Sequence, residues 1–322
     1  MIALMYQVKR PSRSAFVPIR GIQYHVRCWG HPSPDLAPLV MVHGWMDVAA
    51  SYQFVVDALS DSFMQDRFII APDWRGYGLT EGGSVDNYWY PDYIADLDFL
   101  LDHFAPEQLV DLLGHSLGGN VVMYYGGIRP ERIHRLVNLE GFGGPESLPA
   151  QAPGRYAKWI DQLKKHHRGE LALRAYDRLD GVAQRLSKTN PRLASDKAEW
   201  LATHWSRQNA RGQWEILGDA GHKIVNAQLT RVDEMLEIYK RISMPLLAVE
   251  ASDDSMWQWF KGSFTIDDYH ERLKLVPDHR VTVVQDAGHM LHHDQPEQLA
   301  RLLEEFLGAG SKTPCEQSDQ PP

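Results

Sequence analysis

Hydrophobic and polar positions follow two alternating patterns along this chain. Short, continuous apolar runs, typical of strands buried on both faces, alternate with segments whose apolar residues recur every three to four positions, as in amphipathic helices. The runs are residues 39–42, 68–71, 109–113, 136–139, 246–249 and 281–284, and the helical segments are 49–59, 93–103, 119–128 and 296–307. This βαβα alternation predicts an α/β fold with a mainly parallel central sheet flanked by helices, and a hairpin is expected over residues 15–29.

The alternation stops after residues 136–139. The next ninety or so residues carry helical patterns and several tryptophans, but no apolar run long enough for a buried strand. We therefore predict an inserted helical cap over 144–237, set into a core formed by 1–143 and 238–308. The tail 309–322 is rich in polar residues and ends in two prolines, and it is expected to be disordered.

Charge and composition exclude several classes of protein. The formal net charge is −9 and no basic stripe is present, which argues against nucleic acid as a partner. Cys28 and Cys315 lie near opposite ends and imply no disulfide framework. The first fourteen residues lack the pattern of a signal peptide, and no segment has the roughly 20 apolar residues of a membrane span. We expect a cytoplasmic protein without a membrane span, and a homodimer is compatible with the sequence.

The sharpest chemical signal is Gly114-His115-Ser116-Leu117-Gly118, which lies between an apolar run and a helical segment. Small residues on both sides of a serine permit the tight strand-to-helix turn that presents a nucleophile in strained geometry. Ser116 is therefore the predicted nucleophile. The backbone N–H groups of Leu117 and of Trp45, in His43-Gly44-Trp45, are the predicted donors of an oxyanion hole.

A serine hydroxyl needs a base to accept its proton. His289 follows the last apolar run in a Gly288-His289 pair and is the predicted general base. His289 and His293 also form an H-x-x-x-H spacing, but the glutamate of H-E-x-x-H and a third ligand are missing. We therefore predict neither a metal nor another cofactor.

The acid that orients the base is expected on the loop after residues 246–249. Asp254 is preferred because it follows the small residue Ala251 by three positions at the end of this run. Asp253 is the reserve. Glu140, at the end of the run 136–139, is a third alternative, with a structural hydrogen bond near the start of the cap as its competing role.

With these residues in place, the sequence resembles the α/β-hydrolase superfamily. The resemblance lies in His43-Gly44-Trp45, in the stretch 73–78, in the serine motif and in Gly288-His289. Residues 139–143 and 220–223 are also similar to the serine-hydrolase-like esterase branch. The resemblance implies an α/β-hydrolase fold, a Ser-His-Asp triad and an acyl-enzyme intermediate.

The expected activity is a serine hydrolase of the carboxylesterase type, acting on a small-molecule ester with a hydrophobic acyl or aryl group. A serine nucleophile argues against the related dehalogenases and epoxide hydrolases, which attack with aspartate. Cleavage of a C–C bond, an amide or a lactone by the same triad, or a non-catalytic ligand receptor, are the alternatives. The candidate substrate contacts are Trp45, Trp74, Trp159, His222, Trp257 and Met290.

Overall fold

A computed structural model describes residues 5–308 of the chain. The strands are β1 (Arg13–Ile19), β2 (Ile22–Trp29), β3 (Leu39–Val42), β4 (Ile69–Pro72), β5 (Val110–His115), β6 (Ile133–Leu139), β7 (Ala175–Tyr176), β8 (Ser206–Gln208), β9 (Trp214–Ile216), β10 (Leu246–Ala251) and β11 (His279–Val284). The α-helices are α1 (Gln53–Ala58), α2 (Asp61–Met64), α3 (Tyr90–Phe104), α4 (Leu117–Ile128), α5 (Ala152–His167), α6 (Leu179–Thr189), α7 (Ser195–Trp205), α8 (Val232–Tyr239), α9 (Ser255–Phe260), α10 (Ile266–Leu273), α11 (Leu291–Asp294) and α12 (Pro296–Gly308).

The central sheet has the strand order β1-β2-β4-β3-β5-β6-β10-β11. Strands β1 and β2 form an antiparallel hairpin, and β2 pairs with β4 in antiparallel orientation. From β4 to β11 in this order, neighbouring strands pair in parallel. Each predicted apolar run overlaps one of these strands, and every residue of β3 and β4 is buried. The predicted fold class, a mainly parallel sheet flanked by helices, is confirmed.

Helices cover both faces of the sheet because successive strand residues point to opposite sides. In β10, Leu246 and Ala248 belong to one hydrophobic cluster, whereas Leu247 and Val249 belong to the other. Helices α3, α4 and α8 pack on the first side, and α1, α11 and α12 pack together on the second. The carboxyl ends of the parallel strands lie at one edge of the sheet, where the ligand-binding sites of open α/β sheets form.

The inserted segment is mainly helical but also contains short strands that the sequence pattern did not indicate. Besides α5, α6 and α7 it contains an antiparallel sheet in the order β7-β9-β8. These strands are two or three residues long and mostly not buried, so they leave no apolar run in the sequence. The boundaries between core and cap stay a prediction, and the expected disordered tail lies outside the described residues. None of the described helices has the length and apolar character needed to cross a membrane.

Candidate active site

The predicted nucleophile lies on a strained turn between β5 and α4. Ser116 has φ 54° and ψ −113°, a conformation that costs free energy for a residue with a side chain. The flanking glycines permit it, because a Cβ at Gly114 would lie 2.2 Å from the Gly118 carbonyl oxygen, and one at Gly118 would lie 2.3 Å from the Val42 carbonyl oxygen. The local sequence thus folds as the turn expected for a presented nucleophile.

The predicted base lies against this serine. His289, in the loop after β11, has its Nε2 atom 2.9 Å from the Ser116 hydroxyl oxygen. Its backbone carbonyl oxygen lies 2.7 Å from Nε2 of His115, a fully buried ring. Burial, followed by the neighbouring His292 and His289, lowers the pKa of His115 well below its usual value. His115 is therefore a neutral support for the backbone of His289.

The carboxylate that lies beside the base is Glu140, which the sequence analysis gave as its third alternative after Asp254 and Asp253. Oε2 of Glu140 lies 3.2 Å from Nδ1 of His289. The same carboxylate accepts hydrogen bonds from the Ala251 N–H at 2.7 Å and from the Ser255 hydroxyl. Glu140 is buried at the end of β6, so the carboxylate is fixed by donors from the neighbouring strand end and from α9.

Asp253, the reserve of the sequence analysis, pairs with a residue of the inserted segment. Asp253 forms a two-pronged ion pair with Arg192 of the inserted segment, with its shorter contact at 2.6 Å. The side chain of Asp254 is exposed. The end of β10 and the start of α9 supply donors to the Glu140 carboxylate, through the Ala251 N–H and the Ser255 hydroxyl.

The predicted oxyanion loop borders the nucleophile. A Cβ at Gly44 would lie 3.1 Å from the Ser116 Cβ, so the backbone before Trp45 passes close to the serine. Leu117 is the first residue of α4, where backbone N–H groups are free of intrahelical acceptors. Leu117 thus adjoins Ser116 along the chain, and the backbone at Gly44 adjoins it in space. The role of the Trp45 and Leu117 N–H groups as oxyanion donors stays a prediction.

The candidate substrate contacts divide into buried and accessible side chains. Trp74 is fully buried and donates its indole N–H to the His43 carbonyl oxygen, so its predicted role as a substrate contact is wrong. The ring of His222 is also buried, stacked between Tyr77 and Tyr88, and burial lowers its pKa to about 3. A substrate contact by this ring stays a prediction.

The remaining candidates lie closer to open space. The Trp45 side chain is 48% exposed, and its indole N–H donates to the His222 carbonyl oxygen. Trp159 of α5 and Met290 beside His289 are half-buried. Trp257 lies in α9, but its side chain is outside the described part of the structure.

One aromatic neighbour of the base is absent from the candidate contacts. Trp259 of α9 is 58% exposed, and its ring centroid lies 5.7 Å from that of His289. The sequence places two tryptophans close together in this segment, Trp257 and Trp259, and does not indicate which one faces the base.

The family follows from comparison with known proteins. A family model of the alpha/beta hydrolase fold matches residues 37–296. This chain belongs to the α/β-hydrolase family. The hydrolase is 24% identical over 307 residues to a serine hydrolase-like protein of Danio rerio, covering 93% of this chain and 90% of that protein. It is 33% identical over 274 residues to a cis-3-alkyl-4-alkyloxetan-2-one decarboxylase of Shewanella oneidensis, covering 84% of this chain and 81% of that protein.

Solved structures share the fold of the hydrolase. A hypothetical protein from Pseudomonas aeruginosa PAO1 superimposes with a TM-score of 0.75 at 21% identity, covering 92% of this chain and 99% of that chain. An esterase from Mycobacterium tuberculosis superimposes with a TM-score of 0.67 at 19% identity, covering 92% of each chain. The resemblance inferred from the sequence motifs is thereby confirmed at the level of the family.

Proposed function

We propose that this hydrolase cleaves carboxylic esters through a covalent acyl-enzyme. The observation that carries the proposal is the continuous chain of contacts from the Ser116 hydroxyl through both ring nitrogens of His289 to the Glu140 carboxylate, at 2.9 and 3.2 Å. A nucleophile, a base and an orienting acid in this order meet the geometric requirements of acyl transfer. Glu140 takes the role that the sequence analysis gave to Asp254.

The reaction proceeds in two halves. Ser116 attacks the ester carbonyl carbon while His289 accepts the hydroxyl proton, and the tetrahedral oxyanion receives hydrogen bonds from the Trp45 and Leu117 N–H groups. Collapse of this tetrahedral intermediate breaks the bond between the carbonyl carbon and the alcohol oxygen, and the alcohol leaves with the proton that His289 held. Water, deprotonated by His289, then attacks the acyl-enzyme and releases the acid and free Ser116. Glu140 holds the imidazole in the required tautomer throughout.

The expected substrate has a hydrophobic acyl or aryl group. The indole rings of Trp45 and Trp259 are both exposed. Trp45 directly follows Gly44, which borders Ser116, and the Trp259 ring lies beside His289. Exposed aromatic rings beside a nucleophile favour apolar groups, because contact removes apolar area of both partners from water.

A fluorescent fluorophosphonate and a series of p-nitrophenyl esters test this proposal. Wild-type protein should label covalently and turn over the esters, and Ser116→Ala should lose both while keeping its circular dichroism spectrum. A folded wild-type protein that neither labels nor turns over any ester would overturn the assignment, and a non-catalytic ligand receptor would then be favoured.

A cyclic ester is a second candidate substrate. The 33% identical relative carries a name that specifies a dialkyl oxetan-2-one, which is a four-membered lactone, as its substrate. Attack by Ser116 would open such a ring to a β-hydroxyacyl-enzyme, and water would release a β-hydroxy acid. Incubation with a cis-3,4-dialkyl oxetan-2-one, followed by mass spectrometry, distinguishes this acid from the alkene and CO2 of a decarboxylation.

A further inference from the structure

Three potential metal ligands lie buried together next to the catalytic loops. Asp47 follows the oxyanion loop, and His292 and His293 follow His289 at the start of α11. Each offers one ligand atom within 4.8 Å of the other two. The three side chains belong to residues that are 2%, 0% and 3% exposed, so the cluster is closed to bulk water.

Several polar atoms of this cluster lack an ordinary partner. Within residues 5–308, no hydrogen bond is recorded for Oδ2 of Asp47, for either ring nitrogen of His292 or for Nε2 of His293. Buried polar atoms are almost always hydrogen-bonded, because an unsatisfied group loses its hydration without compensation. Unsatisfied atoms that converge on one point, and are all of metal-ligating type, indicate a site for a cation.

The surroundings of Asp47 orient its free oxygen. Oδ1 accepts hydrogen bonds from the Val48 N–H at 2.9 Å, from the Trp205 indole N–H at 3.2 Å and from the Ser51 hydroxyl. These donors fix the carboxylate plane and direct Oδ2 towards His292, whose Nε2 lies 3.6 Å away. Outer hydrogen bonds of this kind hold the first ligands of metal centres in place.

We propose that Asp47, His292 and His293 bind a divalent transition metal ion of the zinc type. Two imidazoles and one carboxylate are a ligand set that Zn²⁺ prefers, with bonds of about 2.0 to 2.2 Å and a fourth position for water. The site differs from the H-x-x-x-H pair of the sequence, because His289 is held by Ser116 and Glu140. A bound ion would tie the oxyanion loop to the loop of the catalytic base.

Zinc content and ligand spectroscopy test the proposal without an activity assay. We expect full-length protein, stripped with a chelator and given Zn²⁺, to retain one ion per chain after dialysis and to unfold at a higher temperature. X-ray absorption of the zinc form should show two imidazoles and oxygen ligands at about 2.0 to 2.2 Å. A protein that retains no zinc, or a zinc shell with fewer than two imidazoles, would overturn the proposal.

Variants separate this site from adventitious surface binding. His293→Gln and Asp47→Asn should lose the retained ion and the rise in unfolding temperature, and Ser51→Ala should weaken zinc binding about 10- to 100-fold. His167→Gln is the matched control, since His167 is an exposed histidine on α5. Loss of zinc in the control, or full retention in a folded His293→Gln protein, would place the ion elsewhere. If the substitutions prevent folding, the absorption spectrum of the wild-type protein still decides.

Discussion

Glu140 Oε2 and His289 Nδ1 lie 3.2 Å apart and join two segments that are 149 residues distant in the chain. Glu140 directly follows β6, His289 follows β11, and β10 lies between those strands in the sheet. The carboxylate therefore reaches across the end of β10, where it also accepts the Ala251 N–H. The carboxylate beside His289 is thus held by the strand whose following loop was expected to provide the acid.

Glu140→Gln should reduce kcat/KM by about 10³- to 10⁴-fold, because an amide beside Nδ1 favours the wrong imidazole tautomer and removes the charge that stabilises the imidazolium. Asp254→Asn is the matched control and should leave kcat/KM nearly unchanged. The measurement is steady-state hydrolysis of a p-nitrophenyl ester, with fluorophosphonate labelling rates beside it. A large loss in Asp254→Asn together with a near-normal Glu140→Gln protein would restore the original assignment.

The sequence predicted most of the sheet because its inner strands, such as β3, β4 and β5, are buried on both faces. Such strands appear as continuous apolar runs, and β3 coincides with its predicted bounds of 39–42. Ser116 and His289 were also predictable, since the glycine-flanked turn and the loop after the last strand are local features of the chain. The structure brings these two residues into contact as expected.

The carboxylate that lies beside His289 was harder to predict, for a physical reason. Neighbouring parallel strands end at the same edge of the sheet, so carboxylates at the ends of β6 and β10 are both within reach of a histidine loop. The spacing of residues in the sequence does not show in which direction a side chain points. In the structure, Glu140 has φ 56° and its side chain lies beside the base, whereas Asp253 pairs with Arg192.

Gly44→Ala should lower kcat about 100-fold, the loss typical of a disturbed oxyanion donor, with a smaller effect on stability. The added Cβ would lie 3.0 Å from Nδ1 of His115 and 3.1 Å from the Ser116 Cβ, so the loop that carries the Trp45 N–H must shift. Gly154→Ala is the control, because its Cβ would meet no atom within 4 Å. Stopped-flow acylation with a p-nitrophenyl ester gives the rate, and an unchanged rate in Gly44→Ala would contradict the placement of the oxyanion hole.

Trp259→Ala should raise KM for a p-nitrophenyl hexanoate about tenfold and have little effect on the acetate, because only the longer chain is expected to contact the indole. Trp259→Phe should recover most of the affinity. Phe16→Ala serves as the control, since Phe16 is an exposed aromatic residue on β1. Equal losses for both esters would instead indicate that Trp259 positions His289.

His222 should make the hydrolase less stable in acid. Its ring is buried between Tyr77 and Tyr88, and burial lowers its pKa from the ordinary 6.5 to about 3. Between these two pH values the unfolded chain binds a proton that the folded chain does not, so the free energy of unfolding falls as pH decreases. One such histidine changes the free energy of unfolding by at most about 1.4 kcal/mol per pH unit.

Urea unfolding of wild-type protein and His222→Gln at several pH values between 7 and 4 measures this contribution. The variant should be less stable at pH 7, because the stacked ring is lost, but its stability should depend less steeply on pH. His167→Gln, which changes an exposed histidine, should keep the wild-type slope. If His222→Gln and wild type show the same slope below pH 6.5, then His222 takes up a proton in the folded state. Its burial between the two tyrosines would then not be what destabilises the protein in acid.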